Sequence, residues 1–165
     1  MKGALWAICF ASLMGSTALA APAGWQAQSI AGLDFSVPKG AEVTSRALPE
    51  QVTVIAVTHG DEVLIITLYR GKSPPSAKQA LTTHAEEFER RIAQKGSLRI
   101  GRDSVKILGK ARTTRTITHG MKGARERTSV VSIRLTKTTF VAAWTAPAKL
   151  KQTFASRTLT GVRFR

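Results

Sequence analysis

The sequence predicts an α+β domain, an antiparallel β-sheet covered by helices, and three observations carry that reading. Val52 to Arg70 holds two runs rich in Val, Ile, Leu and Thr around a polar break at His59-Gly60-Asp61. β-Branched residues suit a pleated surface and a glycine in a short polar break lets the chain reverse, so this is a hairpin pattern. Further β-rich runs between Leu98 and Thr145 are separated by short turn clusters, which makes an antiparallel meander the economical topology. Between the two sets lies a strong helical stripe. The hairpin carries Val52, Val54 and Ala56 on one face and Ile55 and Val57 on the other, so both faces need cover.

Taken in order, Ala21 to Ser29 is a small, polar lead-in. Ile30 to Pro38 contains a short strand with Leu33, Phe35 and Val37 on one face, and Val43 to Arg46 is a second short strand before the central hairpin. Gly71 to Pro75 breaks the chain. A helix is expected over Ser76 to Lys95: Ser76 and Gln79 form a capping box, Ala77, Leu81, Ala85, Phe88 and Ile92 form its apolar stripe, and Gly96 fits its end. Glu86–Arg90 and Glu87–Arg91 are favourable pairs four residues apart, each contributing only ~0.3 kcal/mol. The meander strands are expected at Ser104 to Leu108, Ala111 to Thr118, Arg125 to Leu135 and Thr139 to Thr145, with turns at Gly101-Arg102-Asp103, Gly109-Lys110, His119 to Gly123 and Lys137-Thr138. Pro147 is expected to open a second helix to about Thr158, with Leu150 and Phe154 facing the sheet. Gly161 ends it and Val162 to Phe164 closes the chain as a strand.

Residues 1–20 are expected to be a cleaved signal peptide: Lys2 supplies a positive start, Ala4 to Met14 an apolar run too short to span a bilayer, and Ala18-Leu19-Ala20 a small-residue exit. The sole cysteine, Cys9, lies inside that run. Residues 21–165 then form a single domain without a disulfide or thiolate site, and the expected location is exported, periplasmic. The formal charge is +15, and without Lys2 the 24 basic and 10 acidic residues leave +14. Such an excess attracts polyanions and keeps copies apart.

Catalytic chemistry has little foothold. His59 and His119 each follow Thr and precede Gly, and with Asp61 they are the only basis for an enzyme reading, that of a small exported enzyme. A metal site would want a third ligand at recognisable spacing, and none is present. His84 sits beside the helical stripe. No nucleophile elbow or phosphate-binding glycine loop occurs, so no catalytic residue, cofactor or metal ion is expected.

The basic tract is the most informative functional feature. Between Arg90 and Arg134 stand thirteen basic residues against Asp103 and Glu126. Projected from neighbouring strands, Arg112, Arg115, Arg125, Arg127 and Arg134 are the expected contact surface, able to fork onto phosphates or carboxylates. No Phe, Tyr or Trp occurs from Ile92 to Thr139, so sequence-specific nucleic-acid reading and base stacking are disfavoured. The expected function is a non-enzymatic accessory protein of the cell envelope, whose partner is an acidic protein or an anionic envelope polymer or lipid. An alternative is a carrier of a small apolar ligand, in a pocket near Trp144, Phe154 and Phe88 between sheet and helix.

Several stretches together carry a family resemblance: F-S-V-P-K-G at Phe35 to Gly40, the hairpin Val52 to Tyr69, the helix after Pro74-Pro75, F-V-A-A-W-T-A-P at Phe140 to Pro147, and L-T-G-V-R-F at Leu159 to Phe164. The chain resembles the PsbP-like superfamily, including the periplasmic DcrB-type domains. That resemblance implies an α/β/α sandwich around an antiparallel sheet and an accessory or binding role, with no shared catalytic set to carry over.

Overall fold

The structure, a computed structural model, describes residues 21–93, 98–120 and 124–165. Among the described residues it is a mixed α+β fold, mostly antiparallel sheet with two α-helices. The strands are β1 (Trp25–Ile30), β2 (Leu33–Pro38), β3 (Glu42–Leu48), β4 (Val52–His59), β5 (Glu62–Tyr69), β6 (Arg99–Ile107), β7 (Lys110–His119), β8 (Glu126–Arg134), β9 (Thr139–Pro147) and β10 (Arg163–Phe164). Helix α1 (Ala77–Ala93) follows β5 and α2 (Phe154–Thr160) follows β9. Strands β1, β2 and β10 form a three-stranded sheet; the other seven form a second sheet in the order β3-β4-β5-β9-β8-β7-β6. That order is two meanders, β3 to β5 and β6 to β9, joined where β5 pairs antiparallel with β9.

The expected hairpin forms in register, with His59 opposite Glu62 and the reversal at Gly60-Asp61. Its two faces are unequally covered. Ile55 and Val57 are completely buried, while Val52, Val54 and Ala56 remain half-buried. The buried side belongs to the main core, where Ile55, Val57, Leu64, Ile66, Leu68, Val131, Phe140 and Trp144 meet Leu33, Phe35 and Val37 of β2 and Phe154 and Leu159 of α2. The opposite face meets α1 through a much smaller cluster of Ala80, Val130, Val141 and Ala143, with Tyr69, Leu81 and Phe88 beside it. Neighbouring residues along β8 and β9 divide between the two clusters, as the two-residue period of a strand requires.

Helix α1 starts as the capping box predicts. Gln79 N donates to Ser76 Oγ at 3.2 Å and Ser76 N donates to Gln79 Oε1 at 3.1 Å, so each satisfies a donor the other leaves open. Of the two expected ion pairs, Glu87–Arg91 forms. Glu89 instead reaches Arg115 of β7, with Arg115 Nη2 at 2.6 Å from Glu89 Oε1. The expected helix end at Lys95-Gly96 and the turn residues 121–123 lie outside the described residues, as do residues 1–20 with the signal-peptide expectation.

Three expectations about elements are corrected. Trp25 to Ile30 is a strand, β1, paired with β2, not a loose lead-in. Gly101-Arg102-Asp103 is not a turn: β6 runs straight through it, with Gly101 opposite Thr116. A Cβ at Gly101 would come within 3.0 Å of Thr116 Oγ1, so this glycine admits a close approach between strands instead of a reversal. The reversal comes at Leu108-Gly109, both at positive φ, 53° and 75°. The second helix does not start at Pro147, which ends β9. It starts at Phe154, where Thr153 Oγ1 accepts from Ser156 N at 3.1 Å and the Glu62 carboxylate accepts from Phe154 N at 2.9 Å. Leu150 therefore lies in the connecting turn, its N–H donating to Pro147 O at 3.0 Å.

Candidate functional site

The five arginines expected to form one surface are divided by the pleat of the sheet. The β7–β8 register sets Arg115 opposite Val130 and Thr118 opposite Arg127. Val130 belongs to the α1 cluster, so Arg115 and, four residues along β8, Arg134 lie on the α1 face. Arg112 pairs with Val105 of the main core, and Arg127 shares its face of β8 with Val131, four residues along, so these two lie on the other face. Arg125 precedes β8 and is exposed.

Three of the five are also engaged within the chain. Arg115 holds Glu89 of α1. Arg127 Nη2 donates to Leu150 O at 3.0 Å, and its Nη1 lies 4.0 Å from Asp103 Oδ2. Arg134 Nη1 donates to Pro74 O at 2.9 Å and to Thr139 Oγ1 at 2.8 Å, pinning the loop that leads into α1, and Thr139 Oγ1 donates to Pro75 O. These contacts join residues far apart in the chain, which is why the local pattern did not reveal them.

A different basic region emerges along the β6–β7 hairpin at the edge of the sheet, where it wraps both faces: Arg102 and Lys106 lie on the α1 face, Arg99, Lys110 and Arg112 on the other. Arg99, Arg102, Lys106 and Lys110 are exposed, Arg112 is half-buried, and exposed Arg125 stands beside them. None of the six makes a side-chain ion pair among the described residues. The sequence did carry these positions within its basic tract. What it hid was their release from internal partners.

A recess of about 390 Å³ opens at one end of this region. It is lined by Arg99 and Gly101 of β6, Thr116, Thr118 and His119 of β7, and Gly120 and Arg125, with Leu98 at its side. The strand register places Arg99 opposite Thr118 and Gly101 opposite Thr116, so these four share one face. The absent side chain at Gly101 leaves the floor open toward the Thr116 hydroxyl. No carboxylate is among the lining residues; Asp103, two residues along the same face, is engaged by Arg127 and accepts from Ser104 N at 2.8 Å.

The histidine pair does not assemble. His59 ends β4 and His119 ends β7, four strand steps or roughly 19 Å apart at ordinary strand spacing. Alternation also puts them on opposite faces, His59 with Ile55 and Val57, His119 with Arg115. His59 sits edge-on to Phe154, ring centroids 6.1 Å apart, and His119 Nε2 is 3.8 Å from Glu126 Oε2. Among the described residues no three His, Cys, Asp or Glu side chains gather in a metal-binding group.

The expected apolar pocket is likewise divided. Trp144 and Phe154 are buried in the main core, whereas Phe88 is on α1 across the sheet. Phe88 lines a separate groove of about 400 Å³ with Leu48, Val54, Ile65 and His84. His84 Nε2 shares a hydrogen bond of 2.8 Å with the Tyr69 hydroxyl. Burial pushes His84 below its ordinary value, partly opposed by Glu87, and burial raises Tyr69. At the far end of the core, Arg165 Nε donates to Asp34 Oδ2 at 2.6 Å; that bond, with help from Ser29, holds Asp34 below the usual carboxylate range.

The fold and the recess define a small antiparallel α+β domain with an arginine- and threonine-lined cavity at one sheet edge. No family model matches the sequence, and no curated protein matches it. Among solved structures, the chain is similar to a protein from Bacteroides thetaiotaomicron at 11% identity and a TM-score of 0.53, over 86% of this chain and 48% of that one. It therefore spans about half of that neighbour, and at such identity the likeness shows the fold alone. A protein of unknown function from Pseudomonas aeruginosa is similar at 12% identity and a TM-score of 0.37, over 75% of this chain and 83% of that one, a likeness that carries no argument. No helix among the described residues is long and apolar enough to cross a membrane.

Proposed function

We propose that the chain is an exported, non-enzymatic accessory protein of the cell envelope that contacts an anionic partner, an acidic protein or an envelope polymer or lipid, through the β6–β7 edge. The observation that carries this reading is charge that the fold does not use. Four acidic side chains are engaged within the chain: Asp34 by Arg165, Glu62 by the start of α2, Glu87 by Arg91 and Glu89 by Arg115. Among the described residues, the six basic side chains around β6 and β7 make no such ion pair. Of the residues expected from sequence, Arg112 and Arg125 stay in the contact surface; Arg115, Arg127 and the exposed Arg134 are engaged by partners within the chain. The periplasmic location and the α/β/α sandwich of the PsbP-like resemblance belong to the same proposal.

Lysines and arginines on an edge strand also have a protective effect, since they discourage pairing with another chain. Charge reversal separates the two roles. The triple substitution Arg102→Glu, Lys106→Glu, Lys110→Glu is expected to abolish salt-sensitive retention on an anionic polymer while leaving the melting temperature within a few degrees. Retention equal to that of the unaltered chain would remove the edge from consideration.

A further inference from the structure

We propose that the recess at the end of β6 and β7 is a binding site for a phosphorylated sugar unit, the group through which the basic edge would recognise a phosphate-bearing envelope glycan. This deepens the function proposed above and rests on it. The chemistry of the lining is divided in a way that suits two parts of one ligand. Arg99 and Arg125 supply two guanidinium groups with no carboxylate among the lining residues to neutralise them. Arginine forks match the oxygens of a phosphate and gain from being set in a concavity. The floor between them is hydroxyl-bearing: Thr116 is nearly buried and Thr118 half-buried, both on the face that Arg99 and Gly101 share. Threonine hydroxyls both donate and accept, which is what ring hydroxyls of a sugar require and what a bare anion does not use.

The shape narrows the class further. A volume of about 390 Å³ falls in the range of small-molecule sites, and the side chain missing at Gly101 provides depth. Among the described residues no Phe, Tyr or Trp lines the recess, so it offers no stacking platform for a nucleobase and a nucleotide would gain nothing over its phosphate. A flat acidic protein surface would reach the rim but could fill the recess only with a single side chain.

The test is calorimetric titration of the full chain with glucose 6-phosphate, inorganic phosphate and glucose as separate probes. The proposal expects glucose 6-phosphate to bind at least tenfold more tightly than either of the others. Arg99→Gln with Arg125→Gln should weaken it at least tenfold. Gly101→Val, which fills the floor without changing charge, should do the same with the secondary structure retained by circular dichroism. Equal binding of inorganic phosphate and glucose 6-phosphate would overturn the assignment of a sugar, and binding unaffected by Gly101→Val in a folded protein would overturn the recess. Binding to vesicles bearing a phosphorylated-glycan headgroup, competed by glucose 6-phosphate, would identify a lipid-linked source; retention on a soluble phosphorylated glycan with no vesicle binding would identify a free polymer. If no sugar phosphate binds, yet polymer retention persists and is lost on Arg102→Glu, Lys106→Glu, Lys110→Glu, the recess proposal fails while the function reading survives. Failure of both measurements removes both.

Discussion

The two faces of the seven-stranded sheet are held by different physics. On one, the apolar side chains of five strands meet β2 and α2 in a continuous core. On the other, α1 packs through Ala80 on Val130, Val141 and Ala143 and is fastened by polar contacts: Arg134 and Thr139 to Pro74 and Pro75 before it, Glu89 to Arg115, and His84 to Tyr69. Area buried from water dominates the first face; directional bonds that need both partners dominate the second. The contrast teaches that the deep face sets global stability, whereas α1 is the element that local changes in charge or protonation can loosen.

The largest expected effect lies in the deep face. Phe140 is fully buried, with its ring edge-on to Phe164 at 5.7 Å between centroids, and Phe140→Ala is expected to cost about 3–5 kcal/mol in denaturant unfolding. Phe88→Ala, on the half-buried α1 face, should cost clearly less; equal losses would break the asymmetry. Next comes the polar fastening of α1. Thr139 is completely buried, donates to Pro75 O and accepts from Arg134 Nη1, so Thr139→Val removes both bonds and leaves Pro75 O only the 3.4 Å contact from Arg134 Nη1, at a cost of about 1–3 kcal/mol. Hydrogen exchange should then quicken in α1 before it does in β5 or β9, and uniform quickening would show that α1 is not a separately loosened element.

The smallest effect is a pH dependence. Burial lowers the folded-state pKa of His84 from an ordinary value of 6.5, so the unfolded chain takes up the proton more readily. The stabilisation from neutral His84 is fully present above about pH 6.5 and is lost as pH falls through the lower folded value. Protection factors in α1, which are corrected for the slowing of intrinsic exchange in acid, should therefore fall on acidification below pH 6.5, and His84→Gln should flatten that response. An unchanged slope in the variant would assign the effect to other groups.

What could be read from sequence was local. The Ser76–Gln79 cap, the reversal at Gly60-Asp61 and the β-rich runs that became β8 and β9 each depend on residues within a few positions of one another. The misreadings share a different cause. Gly101 signals a turn in isolation and becomes a close approach only when Thr116 is set opposite it. Pro147 signals a helix start until β8 pairs with β9 through it. Trp25 to Ile30 becomes a strand because β2 offers a partner. In the candidate site, the arginines were legible as residues, but their division between faces, and the carbonyl oxygens that engage Arg127 and Arg134, depend on contacts 23 and 60 positions apart.

The join between β5 and β9 has a kinetic consequence. Every other neighbouring pair in the large sheet comes from adjacent strands in the chain and can form by local reversal. Val63 opposite Thr145 cannot, because α1 and three strands intervene. Closing that span costs chain entropy before any contact repays it. The two meanders can therefore collapse early while the seam zips late, and until it does the edges of β5 and β9 stand open to other chains. The slowest step of folding, and the interval of greatest exposure to aggregation, belong to the most central pair of strands.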